Sequence, residues 1–228
     1  MKKIEAVIFD CDGVVVDSTE LQKQAEQDTA ISFAEEHSLD YDPEITNWDA
    51  MQGWARKKIA AAIYGIPADS EQADAFRLAV VDTTVEIACP DNTPLIPGVE
   101  AFADYMALRG LKLGLATASN RKIYSRYCEL NAMDFFSPRY IVAHDECRDN
   151  KPKPGPFLEV MRRMHVAPER TLVIEDSGSG ITAGRYAGAI VLGLATTKPL
   201  DYLRAKTDAH LVAEDFQEAT RQLQPLLA

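Results

Sequence analysis

Asp10 and Asp12 stand two residues apart in "VIFDCDGVVVDS", directly after an apolar run, so their side chains leave an extended segment on a similar side. Two carboxylates this close repel unless a cation compensates them or their surroundings drive their protonation states apart. Further along, polar groups again follow apolar runs: Thr117 and Ser119 after "LKLGLA", Glu175 and Asp176 after "TLVI", and Lys151 in the proline-rich "NKPKPGPF". Several carboxylates together, offering a few hard oxygen ligands, suit Mg²⁺. Lys151 and the Thr117 hydroxyl supply the other half of a phosphate site, a cation and a hydrogen-bond donor for the non-bridging oxygens. Asp10 would then attack phosphorus while Asp12 carries the proton for the leaving group and later takes one from water.

Elements of a particular kind must position these groups. Apolar runs of strand length recur at 4–10, 111–117, 139–145, 171–176 and 189–195, and helical patterns such as "GVEAFADYMALRG" and "GPFLEVMRRMH" separate several of them. The alternation predicts an α/β fold, a doubly wound, mostly parallel sheet with helices on both faces, whose ligands bind at the carboxyl ends of the strands. The first gap is too long for one crossover. Within it Ala30/Phe33/Ala34, Ile59/Ala62/Ile63 and Phe76/Ala79/Val80 repeat at i, i+3, i+4. The expectation is an all-helical insertion over 18–92, with a core of 1–17 and 93–228 and a return through the proline-rich hinge or linker "CPDNTPLIPG".

Composition excludes several function classes. The chain has 228 residues, 46% of them hydrophobic and 26% charged, as in a folded soluble protein. A net charge of −11 opposes binding to nucleic acid or to an anionic membrane surface. Lys2 and Lys3 begin like a signal peptide, but Glu5 and Asp10 interrupt the apolar run, and no segment reaches the roughly 20 residues of a membrane helix. Cys11, Cys89, Cys128 and Cys147 are scattered without a C-x-x-C pair, which fits a reducing compartment and a cytoplasmic location. A monomer is the default at this size, with a dimer as the alternative. His37, His144, His165 and His210 have no metal-ligand spacing. "VIEDSGSGITAG" superficially resembles a dinucleotide loop, but its spacing is G-x-G-x-x-x-G and two acids occupy the turn where a pyrophosphate would sit. Gly178 and Gly180 read instead as permitting a tight turn, and Gly184 and Gly188 as permitting close packing.

"DCDGVVVDS", "LATAS", "KPKPGPF" and "VIEDSGSGITAGRYAG", in this order, closely resemble the four motifs of the haloacid dehalogenase superfamily, and most of all its β-phosphoglucomutase-like phosphatases and mutases. The resemblance covers the whole core and puts a cap domain where the helical insertion falls. It implies Asp10 as nucleophile, Asp12 as general acid/base, and Thr117, the Ala118 backbone and Lys151 as phosphate ligands. It implies Mg²⁺ held by the Asp10 carboxylate, the Asp12 carbonyl, Glu175 and Asp176. Asp12 argues against haloacid dehalogenases proper and phosphonoacetaldehyde hydrolases, which lack an aspartate there. Gln22 stands where β-phosphoglucomutases carry a histidine that helps control their aspartyl phosphate, which favours hydrolysis. "QGWARKK" resembles a cap loop that places an arginine on a distal polar group of the substrate, making Arg56 a candidate specificity residue. The function these resemblances imply is a Mg²⁺-dependent phosphatase of a small phosphorylated metabolite, a sugar phosphate above others, working through an aspartyl phosphate. A phosphosugar mutase is the alternative, and a non-catalytic phosphate-binding regulator is a third reading.

Overall fold

The computed structural model describes residues 3–44, 46–51 and 54–227; Lys2, and Gln52 and Gly53 of the segment before Arg56, lie outside them. The chain forms two compact units, residues 1–17 with 93–228 and residues 18–92.

In the first unit β1 (Ala6–Phe9) precedes the excursion of the chain into the second. The second holds α1 (Thr19–His37), α2 (Trp48–Met51), α3 (Arg56–Tyr64) and α4 (Glu71–Ile87). The chain then continues through α5 (Val99–Leu108), β2 (Lys112–Ala116), α6 (Arg121–Asn131), β3 (Ile141–Val142) and α7 (Gly155–Met164). It ends with β4 (Thr171–Glu175), α8 (Gly178–Tyr186), β5 (Ile190–Leu194), α9 (Leu200–Lys206), β6 (Leu211–Ala213) and α10 (Phe216–Leu223). Among the described residues, no helix is long and apolar enough to cross a membrane.

The six strands are all parallel, in the order β3-β2-β1-β4-β5-β6, so the fold is the expected doubly wound sheet. β1 lies in its interior, and Phe9 is level with Leu115 of β2 on one side and Ile174 of β4 on the other. That register brings the carboxyl ends of three strands to one level, at the point where the strand order reverses. Alternation along β1 feeds two cores. Ala6 and Ile8 pack with Phe157, Val160 and Met164 of α7 and Ile181 of α8. Phe9 meets Phe102 of α5 edge-on at 5.9 Å, and Phe102 in turn meets Phe216 of α10 at 4.9 Å. Both faces of β1 are thus dry, as a central parallel strand requires.

The sheet has one strand more than the apolar runs indicated. β6 offers only three residues, two of them half-buried, and a short edge strand leaves little periodicity to read. β3 is also shorter than its run, two residues followed by a 3₁₀ turn at His144–Glu146.

The second unit is organised around an aromatic cluster. Phe33 of α1, Tyr64 of α3 and Phe76 of α4 lie with ring centroids 5.5–5.8 Å apart. The Tyr64 hydroxyl donates to the Ala30 carbonyl at 2.7 Å, satisfying the polar end of the ring as burial demands. Ser70 caps α4 by accepting from the Ala73 amide at 3.2 Å, and Gly65 ends α3 in the left-handed conformation.

Candidate active site

Asp10 continues β1 by one residue, its amide donating to the Ile174 carbonyl at 3.0 Å, which aims its carboxylate past the carboxyl edge of the sheet. The chain then turns sharply. The Cys11 carbonyl accepts from the amides of Val14, Val15 and Val16, and Gly13 takes a positive φ of 79°. A side chain there would be strained, and its Cβ would lie 2.3 Å from Asp176 Oδ2. The fully buried Val14–Val16 run anchors the turn that presents Asp12.

Lys151 is the centre of the arrangement. Its ammonium donates to Asp10 Oδ1 at 2.5 Å, to Glu175 Oε1 at 2.6 Å and to the Ala116 carbonyl at 3.0 Å, which accounts for its three N–H groups. Its side chain is 5% exposed, that of Asp10 10% and that of Glu175 0%. The two carboxylates hold the lysine protonated well above its ordinary range, against burial, which taken alone lowers it.

Asp10, Glu175 and Asp176 each bring a carboxylate oxygen within 4.8 Å of the others. Burial raises Asp10 well above the usual carboxylate range, with Glu175, Asp176 and Asp12 adding repulsion and Lys151 opposing them. Burial, then Glu175, push Asp176 up to about 7, against the hydrogen bond from Thr197. Lys151 compensates only one of three carboxylates, so the donor set and its excess charge fit a divalent cation. The residues divide this work. Glu175 uses Oε1 for Lys151 and Oε2 for the Asp176 amide at 3.1 Å, the Ser177 amide at 3.1 Å and the Ser177 hydroxyl at 2.9 Å. Asp10 Oδ2 and Asp176 Oδ1 are the oxygens not drawn on by Lys151 or by Thr197.

Glu175 and Asp176 sit just before the N-terminus of α8, where the helix dipole favours negative charge. Ser177 caps that helix by accepting from the Gly180 amide at 3.1 Å. A Cβ on Gly180 would lie 1.7 Å from Glu175 Oε1, so glycine is what lets the first turn of α8 close on the glutamate. Gly178 differs from the expectation: a Cβ there would meet nothing within 4 Å, so the turn does not require it.

Asp12 Oδ2 accepts from the Ser119 hydroxyl at 2.7 Å and from the Thr117 hydroxyl at 3.3 Å. Thr117 Oγ1 also accepts from the Ser119 amide at 2.9 Å, while Ala118 is exposed beside it. The end of β2 therefore orients Asp12, as the end of α7's approach orients Asp10 through Lys151. Ser119, named with Thr117 at the end of that run, thus meets Asp12, while Ser177, within the fourth motif but given no role there, and Thr196 and Thr197, outside the motifs, also contact the acidic cluster or its turn. Thr196 and Thr197 follow β5, and the strand-end rule applied to that strand would have found them.

Arg56 is the first residue of α3 and belongs to the second unit. Its Nε lies 3.5 Å from Glu26 Oε1 of α1, with the side chains 14% and 17% exposed. Burial raises Glu26, and the Arg56 charge offsets part of that rise. In the same unit Gln22 donates through Nε2 to the Ser18 hydroxyl at 3.2 Å.

The haloacid dehalogenase-like hydrolase profile matches residues 4–188. The chain belongs to this family. It is a hydrolase, and the relatives agree with the β-phosphoglucomutase-like resemblance. It is 29% identical over 189 residues to the phosphorylated carbohydrates phosphatase of Thermotoga maritima, covering 81% of this chain and 82% of that protein. Among solved structures, a family IA, variant 3 hydrolase of Entamoeba histolytica superposes with a TM-score of 0.84 at 19% identity, over 98% of this chain and 99% of that one. CbbY of Rhodobacter sphaeroides, in complex with phosphate, superposes with a TM-score of 0.73 at 25% identity, over 94% of this chain and 96% of that one.

Proposed function

We propose that this chain is a Mg²⁺-dependent phosphatase of a small phosphorylated metabolite, of the sugar phosphate class, working through an aspartyl phosphate on Asp10. The observation that carries the reading is the buried, charge-unbalanced cluster of Asp10, Glu175 and Asp176 around Lys151, beside a separately held Asp12. The carbohydrate phosphatase of Thermotoga maritima and the phosphate complex of CbbY support the substrate class.

In this reading Asp10 and Asp176 would hold the cation, with the Asp12 carbonyl, while Glu175 adds its charge and fixes Lys151. Mg²⁺ would neutralise the carboxylates and polarise a phosphoryl oxygen. Lys151, the Thr117 hydroxyl and the Ala118 amide orient the phosphoryl group. An Asp10 oxygen forms a bond to phosphorus as the ester P–O bond breaks, and Asp12 gives its proton to the departing alkoxide. Asp12, now a carboxylate, takes a proton from water, whose oxygen bonds to phosphorus as the Asp10–phosphorus bond breaks, freeing inorganic phosphate and restoring Asp10. Ser119 keeps Asp12 aimed during both transfers, which frees the single Thr117 hydroxyl proton for the phosphoryl oxygen. Arg56, steadied by Glu26, contacts a polar group of the leaving portion.

The test is phosphate release from a panel of sugar phosphates and other small phosphate esters, with Mg²⁺ present or chelated, while following isomerised sugar. Mg²⁺-dependent release is the expected result. Isomerisation without release would replace the phosphatase by a mutase, and binding of phosphate without either product would replace it by a regulator.

A further inference from the structure

Two hydroxyls outside the four motifs hold the acidic site from the end of β5. Thr196 Oγ1 donates to the Gly13 carbonyl at 2.5 Å, and Thr197 Oγ1 donates to Asp176 Oδ2. The contact is close-packed, because a Cβ on Gly13 would lie 2.3 Å from Asp176 Oδ2 and 2.7 Å from Thr197 Cγ2. One residue thus touches two things with its two ends: the Thr197 methyl faces the turn that carries Asp12, and its hydroxyl faces the Asp176 carboxylate. Thr196 ties the same turn to the same loop. Asp176 follows Glu175 directly after β4, and Thr197 holds it from the loop after β5, two segments that meet because β4 and β5 are neighbours in the sheet.

We propose that Thr197 is a positioning residue for the divalent cation: it holds Asp176 Oδ2 and so presents Oδ1 to the metal at a set angle. The proposal rests on the reading of Asp10 and Asp176 as the cation's carboxylates. Mg²⁺ tolerates little departure from octahedral geometry, so a ligating carboxylate free to rotate loses affinity. A hydrogen bond to a ligating group is commonly worth 10–100-fold in metal binding. Thr196 keeps the Asp12–Gly13 turn in register with that carboxylate, so the β5 loop ties the two sides of the cation site together.

The experiment is a calorimetric Mg²⁺ titration of the full chain, with the melting temperature of each metal-free protein measured alongside. The proteins are the wild type, Thr197→Val, Thr197→Ser and Asp176→Asn. Thr197→Val, which keeps the shape and removes the hydroxyl, should weaken Mg²⁺ binding by about 10–100-fold while the metal-free melting temperature stays near wild type. Thr197→Ser, which restores the hydroxyl, should bind close to wild type. Should Thr197→Val not fold, Thr197→Ala carries the same expectation. Wild-type affinity in the hydroxyl-free variant, or equal loss in Thr197→Ser and Thr197→Val, overturns the assignment of Thr197. Absence of binding by the wild type, or undiminished binding by Asp176→Asn, overturns the cation site itself, and Thr197 with it.

Discussion

The carboxyl ends of β1 and β4 bury a lysine against carboxylates, and the start of α3 buries an arginine against one. In the second unit Arg56 and Glu26 balance one charge with one charge, at 3.5 Å, with both side chains slightly open to solvent. In the first, Lys151 faces Asp10 and Glu175 at 2.5 and 2.6 Å with Asp176 beside them, so negative charge is in excess and almost fully dry. A balanced pair carries no net charge and needs no further counter-ion. An unbalanced cluster costs folding free energy and is held by the strands around it, which is the pattern of a functional site more than of a structural ion pair.

The comparison can be broken most severely at Asp10. Replacing it with asparagine should lower kcat by at least about 10³-fold, because the proposed mechanism makes Asp10 the group that bonds to phosphorus, while raising the melting temperature of the metal-free protein by removing one of the crowded charges. Retained turnover, or a lower melting temperature, would contradict the unbalanced-cluster account. Lys151→Ala removes the single compensating charge and should destabilise the protein by about 3–5 kcal/mol in denaturant unfolding, with KM rising and kcat falling together. Gly180→Ala drives a methyl into Glu175 and should cost about 1–3 kcal/mol with a fall in kcat, since the displaced carboxylate no longer fixes Lys151.

The pH dependence sharpens the same contrast. Asp176 is raised in the folded chain to about 7, above its unfolded value near 4, so the folded state binds the extra proton in that window. Metal-free stability should therefore fall as pH rises from about 4 through about 7, and Mg²⁺ should restore more stability at pH 8 than at pH 6. Melting curves at both pH values, with Mg²⁺ or chelator, measure this directly. The smallest effect belongs to the balanced pair: Glu26→Gln should cost about 1 kcal/mol, leave Mg²⁺ affinity unchanged and shift KM more than kcat. A change in metal binding there would erase the distinction between the two regions.

Much of this was legible in the order of residues along the chain. Apolar runs of strand length, ended by Asp10, Thr117 and Glu175–Asp176, state a parallel sheet with polar groups at one edge, because strand burial is a local property of composition. The i, i+3, i+4 triplets state helices over the long gap for the same reason. The three-residue β6 carried too little pattern to be read and exists through pairing with β5.

Partnership was decided only by the tertiary structure. That Lys151 joins Asp10 to Glu175, that Ser119 meets Asp12, and that Thr197 reaches Asp176 all depend on which strands are neighbours, over separations of 21 to 141 residues. Residue types determine which charges and hydroxyls the chain owns and where along each strand they fall. The sheet order and register determine which of them share a dry space, and it is that shared low-dielectric space that turns four acidic side chains and a lysine into a site.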